Sequence, residues 1–153
     1  MRQGLYAVLF LSLMAGDAVA QDRFMAPLPS DAQLRITTDA EYGKSGERAL
    51  KFDLYRPAGA TAPLPVVIML NGIGADWMRA HVQYSGWGRY VTTRGFAGVT
   101  MDSAEASVPA DFDKLVAHLR ANAASLGIDP SRIVVWACSA NVRSGDQENS
   151  DRR

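Results

Sequence analysis

The sequence has little cysteine and no excess of charge of either sign. Its 153 residues include a single cysteine, Cys138, so no disulfide can form within the chain. We expect that thiol to be a small buried hydrophobic group. The 16 basic residues balance 16 acidic ones, which gives a formal net charge of +0. Because binding to nucleic acid requires a basic surface, no nucleic-acid partner is expected.

The apolar run near the amino terminus is too short to cross a bilayer. Residues 5–13 form an apolar stretch of about nine residues, whereas a spanning helix needs ~20. Arg2 precedes the stretch and the A-x-A pattern of residues 18–20 follows it, an arrangement typical of a secretory signal peptide. We therefore predict cleavage after Ala20 and a secreted or periplasmic product without a stable membrane anchor. The alternative interpretation is a buried or lipid-embedded helix.

The sequence shows no cluster of metal-ligating residues, no phosphate-binding fingerprint and no nucleotide-binding motif. We therefore expect neither a metal nor a cofactor. The length allows one domain. Beyond the signal peptide at 1–20, we predict a lead-in segment at 21–33, a folded domain at 34–142 and a polar tail at 143–153. The tail contains no large apolar residue and is predicted to be disordered.

The domain begins with two segments of alternating apolar and polar residues. Residues 34–37 and 50–55 both follow this pattern, which is typical of strands with one buried face. Residues 41–48, with two glycines, are interpreted as the turn between them. We therefore predict an antiparallel hairpin at a sheet edge, with one face in water.

The next part of the chain alternates apolar strands with helices. Segments 65–70, 96–101 and 133–136 are almost wholly apolar, as is typical of strands buried on both faces. The spacing of apolar residues predicts helices over 77–94 and 109–126. This order predicts an α/β fold with a mainly parallel sheet. A flavodoxin-like domain would give a similar alternation, but the hairpin in front favours a different fold.

A serine follows the last predicted strand. Residues 137–141 read Ala-Cys-Ser-Ala-Asn, which places Ser139 between small residues directly after a buried strand. A nucleophilic serine is often presented on such a strand-to-helix turn, with the pattern G-x-S-x-G. Here Ala137 and Asn141 replace the two glycines. A turn or capping role for Ser139 is the alternative.

Several segments in this order resemble the α/β-hydrolase superfamily, in the branch of secreted esterases and dienelactone-hydrolase-like proteins. The resemblance covers roughly residues 34–142 and the amino-terminal portion of that fold. It implies an incomplete α/β-hydrolase fold that ends at the strand carrying the nucleophile. The matching segments are Leu54-Tyr55-Arg56-Pro57, Val66 to Leu70 with Asn71-Gly72-Ile73-Gly74, Trp87 to Phe96, and Asp129-Pro130-Ser131-Arg132-Ile133.

The resemblance implies roles for particular residues. Ser139 would be the nucleophile, and the backbone N–H of Ala140 would be one oxyanion donor. The turn at Gly72 and Ile73 would supply the other donor. Asn71 stands where the family most often has histidine.

The base of a catalytic triad is missing from its expected place. In this fold the order is serine, then an acid, then histidine, yet His81 and His118 both precede Ser139. We expect both histidines to be solvated or partly packed, and Asp102 to have a structural role at a strand end. Asp146 and Asp151 follow the serine but fall in the polar tail.

These observations predict a truncated serine hydrolase of the esterase type that is inactive by itself. Its substrate, if it is active, would be a small ester-like molecule. The strand that carries Ser139 would have a bare apolar edge, through which the chain could self-associate. Two alternatives stay open: an enzyme completed by a partner that supplies the acid and the base, and a non-catalytic α/β binding module in the periplasm.

Overall fold

The computed structural model describes residues 24–70, 76–104 and 107–137. Within these ranges the chain forms a five-stranded mixed sheet covered by helices. No helix in these ranges has the length and apolarity that a membrane crossing requires. The strands are β1 (Leu34–Ser45), β2 (Arg48–Pro57), β3 (Leu64–Leu70), β4 (Ala97–Met101) and β5 (Ile128–Ala137), and the α-helices are α1 (Val82–Thr92), α2 (Val108–Ala121) and α3 (Ala123–Leu126).

The strand order is β1-β2-β4-β3-β5. β1 pairs antiparallel with β2 and β2 antiparallel with β4, whereas β3 pairs parallel with both β4 and β5. The predicted hairpin followed by a parallel sheet is confirmed. The prediction that both hairpin strands have one face in water is wrong for β2, because it lies between β1 and β4 and is buried on both faces from Phe52 to Tyr55.

The hairpin turn is shorter than the sequence predicts. β1 continues to Ser45, so the turn consists of Gly46 and Glu47 rather than of residues 41–48. The pairing of β1 with β2 has two register shifts, between Thr37 and Ala40 and between Glu41 and Gly43. Gly46 has a φ of 59°, a conformation that glycine adopts without steric cost and that allows the tight reversal.

Both predicted helices are present but subdivided. A 3-10 helix, Asp76–Ala80, precedes α1, whose N-cap is His81. The second predicted helix breaks at Asn122 into α2 and α3. It stops at Gly127, which has a φ of 62° and closes the helix in the left-handed conformation.

The main core lies between α2 and one face of the sheet. Alternate residues of the central strands point to this face, in keeping with the two-residue period of a strand. α2 contributes an apolar stripe at helical spacing, as predicted. The fully buried large side chains of this core include Phe52, Ile68, Leu70, Val99, Met101, Phe112, Leu115 and Leu119.

Helix α1 packs closely on the other face of the sheet. A Cβ atom placed on Gly98 of β4 would lie 2.2 Å from the carbonyl oxygen of Gly88 in α1. A Cβ on Gly88 would in turn lie 2.6 Å from the Tyr55 ring. Glycines at these facing positions therefore permit a backbone approach that any side chain would prevent.

Strand β5 departs from the prediction at both its start and its burial. It begins at Ile128, earlier than the sequence predicts, and the predicted turn at residues 129–131 lies within it as an irregularity: the strand register shifts there, and the N–H and hydroxyl of Ser131 both donate to Oδ1 of Asp129. Val134 is 49% exposed, so the prediction of burial on both faces is wrong for this strand. The physical reason is that successive side chains point to opposite faces of the sheet: Val135 packs into the main core, whereas Val134 points to the other face, which is open to solvent at this position.

Candidate functional site

The residues to which the sequence assigns the chemistry lie outside the described ranges. These are Ser139 and Ala140 on one side, and Gly72 and Ile73 on the other. Cys138, Asn71 and Asn141 also lie outside them. The candidate site is therefore defined by the strand ends from which these segments depart.

The two segments leave the sheet from paired positions. Leu70, the last residue of β3, is the register partner of Ala137, the last residue of β5. Neighbouring strands lie about 4.8 Å apart. Since β3 and β5 are parallel, the chain leaves both at the same edge of the sheet. Gly72 lies two residues after Leu70, and Ser139 likewise lies two residues after Ala137.

The end of β4 lies at this same edge. Met69 of β3 pairs with Thr100 of β4, and Asp102 follows two residues later. The Asp102 backbone N–H donates to the carbonyl oxygen of Lys51 at 2.8 Å, which adds one hydrogen bond to the pairing of β4 with β2. Ligands of open α/β sheets usually bind at the carboxyl ends of the strands. The edge that contains Leu70, Ala137 and Asp102 is therefore the candidate site.

A buried arginine lies next to this edge. Arg79, in the 3-10 helix, is 8% exposed. Its Nε atom donates to Oδ1 of Asp102 at 3.1 Å, its Nη2 to Oδ1 of Asp39 at 2.6 Å, and its Nη1 to Oδ1 of Asp53. Asp53 and Asp102 are 3% and 7% exposed. We call these four residues the Arg79 cluster.

Burial and charge act in opposite directions on the pKa values of this cluster. Burial raises the pKa of Asp102, and the neighbouring Arg79 guanidinium opposes that rise in part. The hydrogen bond from Arg79 lowers the pKa of the exposed Asp39 carboxyl. Burial alone would lower the pKa of Arg79, but the surrounding carboxylates outweigh it and the pKa is raised. Arg79 is therefore a fixed positive charge.

Arg79 could not be identified as a site residue from the sequence. Nothing local distinguishes it from a solvated arginine, and its three partners lie 23, 26 and 40 residues away. A weak signal existed at Asp53, a charged residue inside an otherwise apolar stretch of β2. The structural role expected for Asp102 agrees with its contacts to Arg79 and Lys51.

Both histidines are partly packed, as the sequence predicts. His81 caps α1, and its Nδ1 accepts a hydrogen bond from the Gln83 backbone N–H at 3.3 Å. His118 lies half-buried on α2, with its ring 5.4 Å from that of Phe52 in an edge-to-face arrangement. Each histidine therefore has a structural contact of its own.

The cavities lie at different places relative to the candidate edge. Two of them, of about 850 and 570 Å³, include residues at the starts of strands, Pro65 in the first and Ile128 in the second, so they lie at the opposite edge. Another, of about 370 Å³, lies at the start of α1 and includes His81 and Trp87. Trp87 is 5.5 Å, ring to ring, from Trp136 near the end of β5. This cavity of about 370 Å³ is therefore connected to the candidate edge by packed aromatic rings.

The described ranges contain no group of three or more His, Cys, Asp or Glu residues that could hold a metal ion.

Comparison with known families gives a match over most of the folded part of the chain. The family model BD-FAE matches residues 52–142, from within β2 to just beyond Ser139. This stretch is more than half of the chain. No curated protein matches the sequence.

Comparison with solved structures gives several esterases. A carbohydrate esterase from gut microbiota, solved in truncated form, superposes with a TM-score of 0.57 at 19% identity, over 74% of this chain and 43% of that one. A thermophilic esterase from the planctomycete Thermogutta terrifontis superposes with a TM-score of 0.56 at 23% identity, over 71% of this chain and 41% of that one. The same esterase bound to propionate gives a TM-score of 0.56. At these identities the likeness establishes the fold, and the chain spans less than half the length of each solved structure.

Proposed function

Because the chain belongs to the BD-FAE family of α/β-hydrolase-type esterase domains, we propose that it carries the nucleophile and the oxyanion donors of a serine esterase. The observation that supports this most directly is the pairing of Leu70 with Ala137. That pairing starts the segment with Gly72 and the segment with Ser139 from neighbouring positions. An oxyanion site needs donors from two segments that approach the same reacting carbonyl.

The proposed chemistry is acyl transfer to the serine hydroxyl. Oγ of Ser139 attacks the ester carbonyl and gives its proton to a base, which forms a tetrahedral intermediate. The N–H of Ala140 and an N–H of the Gly72–Ile73 turn would donate to its oxyanion. The intermediate collapses, and the proton passes to the departing alcohol. Water then releases the acid from the acyl-serine by the same two steps.

We propose that the chain by itself turns over esters slowly. A triad of this fold requires a histidine after the serine, and the two histidines of this sequence precede it. His81 is engaged in capping α1 and His118 packs against Phe52. The base and its acid partner would therefore come from residues outside this sequence, in the same or another chain.

The proposed substrates are esters of short acyl groups. The support is the structural likeness to an esterase solved with propionate and to a carbohydrate esterase. Acetyl and propionyl esters are thus the first substrates to examine.

Two further features of the proposal concern location and association. We propose a periplasmic or secreted location, which the predicted signal peptide at 1–20 supports. Self-association would use the free edge of β5, where Val134 is 49% exposed.

The experiment is chemical rescue of the missing base. Hydrolysis of p-nitrophenyl acetate is measured with and without added imidazole, for the wild-type chain and for Ser139→Ala. Imidazole hydrolyses this ester by itself, so the result is the difference between the two proteins. We expect a Ser139-dependent increase of about tenfold over the rate without imidazole, well below the ~10²–10⁴ that a positioned base supplies.

The alternative outcomes each have a meaning. Equal rates for the wild-type chain and Ser139→Ala at every imidazole concentration would refute the esterase site and favour a binding module. A fast Ser139-dependent rate without imidazole would refute the claim that the base is missing.

A further inference from the structure

Two arginines face each other at the edge of the sheet opposite the candidate site. Arg35 of β1 and Arg56 of β2 are register partners, so their side chains leave the same face of the sheet from Cβ atoms about 5 Å apart. They lie beside the start of β4, because Tyr55 pairs with Gly98. Like charges at directly opposed positions of two strands repel each other. A negative charge between them would remove this repulsion.

The guanidinium of Arg56 lies on the backbone of Gly127, the residue that ends α3. A Cβ atom placed on Gly127 would lie 2.3 Å from Nη2, 2.5 Å from Cζ and 2.6 Å from Nη1 of Arg56. Gly127 also has a φ of 62°, so glycine at this position serves both the helix end and the contact. The guanidinium therefore has a defined place in the fold instead of extending into solvent.

The charge of Arg56 is not balanced at that place by the described part of the chain. The ion pairs between described residues include neither Arg35 nor Arg56. Nε of Arg56 is buried and has no hydrogen-bond partner among these residues. Burial lowers the pKa of Arg56, and the charge of Arg35 lowers it further. The end of α3 offers only the partial negative charge of its last carbonyl groups.

Other arginines of the described ranges have carboxylate partners. Arg79 contacts three aspartates. Arg89 pairs with Asp31, and Arg132 pairs with Asp129. Compared with these arginines, the pair formed by Arg35 and Arg56 has donors and charge to spare for a ligand.

We propose that Arg35 and Arg56 form a binding site for a doubly charged oxyanion, a phosphate or sulfate group. Guanidinium groups present N–H donors in a planar fork that matches the oxygens of such a group. Two positive charges favour a dianion over a single carboxylate, because the charges then balance. Arg35 is exposed on the outermost strand, β1, and Arg56 is half-buried, so the pair is accessible from solution.

The test is a titration of the purified chain with sodium phosphate, followed through the ¹H–¹⁵N NMR signals of the arginine Nε–H groups. Sodium sulfate and sodium acetate are titrated in parallel, and sodium chloride keeps the ionic strength constant so that screening does not change. We expect saturable shifts of the Arg35 and Arg56 signals with phosphate and with sulfate. Acetate should bind about tenfold more weakly, since it carries half the charge. The dianion that binds more tightly is the group that the site selects.

Arg35→Gln is the main variant, because Arg35 is exposed and its replacement should leave the fold intact. It should weaken phosphate binding about tenfold, as expected for the loss of a hydrogen bond to a charged group. Arg56→Gln should weaken it at least as much. Arg120→Gln is the matched control, since Arg120 is exposed and lines the cavity with Pro65 at the same edge. It removes the same charge and should leave the affinity unchanged.

Three results would overturn the proposal. Shifts that grow linearly with phosphate and never saturate would mean screening without a site. An equal loss of affinity in Arg35→Gln and Arg120→Gln would mean attraction by net charge alone. Acetate that binds as tightly as phosphate would exclude a dianion site. If Arg56→Gln loses the core amide signals of Ile68 and Val99, it has unfolded, and Arg35→Gln then decides the matter.

Discussion

Leu70 and Ala137 are register partners at the carboxyl ends of two adjacent parallel strands. Leu70 is almost completely buried in the main core, and Ala137 packs against that core. The two segments proposed to carry the chemistry thus start from rigid, neighbouring positions. Precise placement of reacting groups is easier on strand ends than on long loops.

The first prediction concerns the buried side chain of Leu70. Leu70→Ala should reduce the free energy of unfolding by about 2–5 kcal/mol, because it removes a buried side chain and leaves a cavity. Denaturant unfolding of the purified chain measures it. Leu28→Ala is the matched control, since Leu28 is 36% exposed and the same change there should cost little. Equal costs at the two positions would contradict the burial assigned to Leu70.

The second prediction concerns the contact between α1 and β4. Gly98→Ala would place a Cβ atom 2.2 Å from the Gly88 carbonyl oxygen. The backbones must then separate, so we expect a loss of at least ~1–3 kcal/mol in the free energy of unfolding.

Gly59→Ala is the control for this change, because nothing lies within 4 Å of the added Cβ. Thermal unfolding of both variants provides the comparison. A Gly98→Ala chain as stable as Gly59→Ala would mean that α1 does not lie this close to the sheet.

The third prediction concerns pH. Burial would raise the pKa of Asp111, but hydrogen bonds from the Ala104 N–H, Lys114 and Ser107 outweigh it, and the pKa is lowered. The unfolded chain therefore binds a proton more tightly than the folded one at this position. The stability that Asp111 contributes is present above its unfolded pKa of about 3.9 and is lost as pH falls through the lower folded value.

This pH dependence is measured as the free energy of unfolding across the acid range. Asp111→Asn should be less stable than the wild-type chain at neutral pH, and the difference should shrink as pH falls below ~4. Asp113→Asn is the control on the same helix, because Asp113 is exposed and its change should leave the profile as it is. A constant difference between wild type and Asp111→Asn at all pH values would contradict the lowered pKa.

The fourth prediction concerns the free edge of β5. Val134→Lys should shift the chain towards the monomer without loss of stability, because a charge on an exposed edge strand opposes pairing with a second strand. Analytical ultracentrifugation at several concentrations measures the association. Thr61→Lys, at an exposed position away from the sheet edge, should leave it unchanged. An equal effect of both substitutions would point to net charge rather than to the edge.

The sequence was sufficient for features that depend on nearby residues. The hairpin, the buried strands and the apolar face of α2 all follow from patterns within about ten residues. At this range the spacing of apolar side chains indicates which face of a strand or helix is buried. The end of the helix at Gly127 is equally predictable, since glycine adopts the left-handed conformation of a helix end without steric cost.

Features that depend on distant residues could not be predicted in the same way. The start of β5 at Ile128 reflects its pairing with Leu64 of β3, which lies before the local turn that Ser131 closes on Asp129. The Arg79 cluster depends on a register shift that places Asp39 within reach of β2. Neither pairing leaves a local pattern, so both become visible only in the folded chain.

The most direct measurement of the central claim is covalent trapping of the nucleophile. The chain is incubated with a reactive phosphonate ester in the presence of imidazole, which takes the place of the missing base, and the modified residue is identified by mass spectrometry of its peptides. Ser131 is an internal reference, because it is exposed and its hydroxyl donates to Asp129 at 2.6 Å. The account predicts modification at Ser139, none in Ser139→Ala, and none at Ser131. Labelling of Ser131 and Ser139 to the same extent, or of neither, would contradict the assignment of Ser139 as an activated nucleophile.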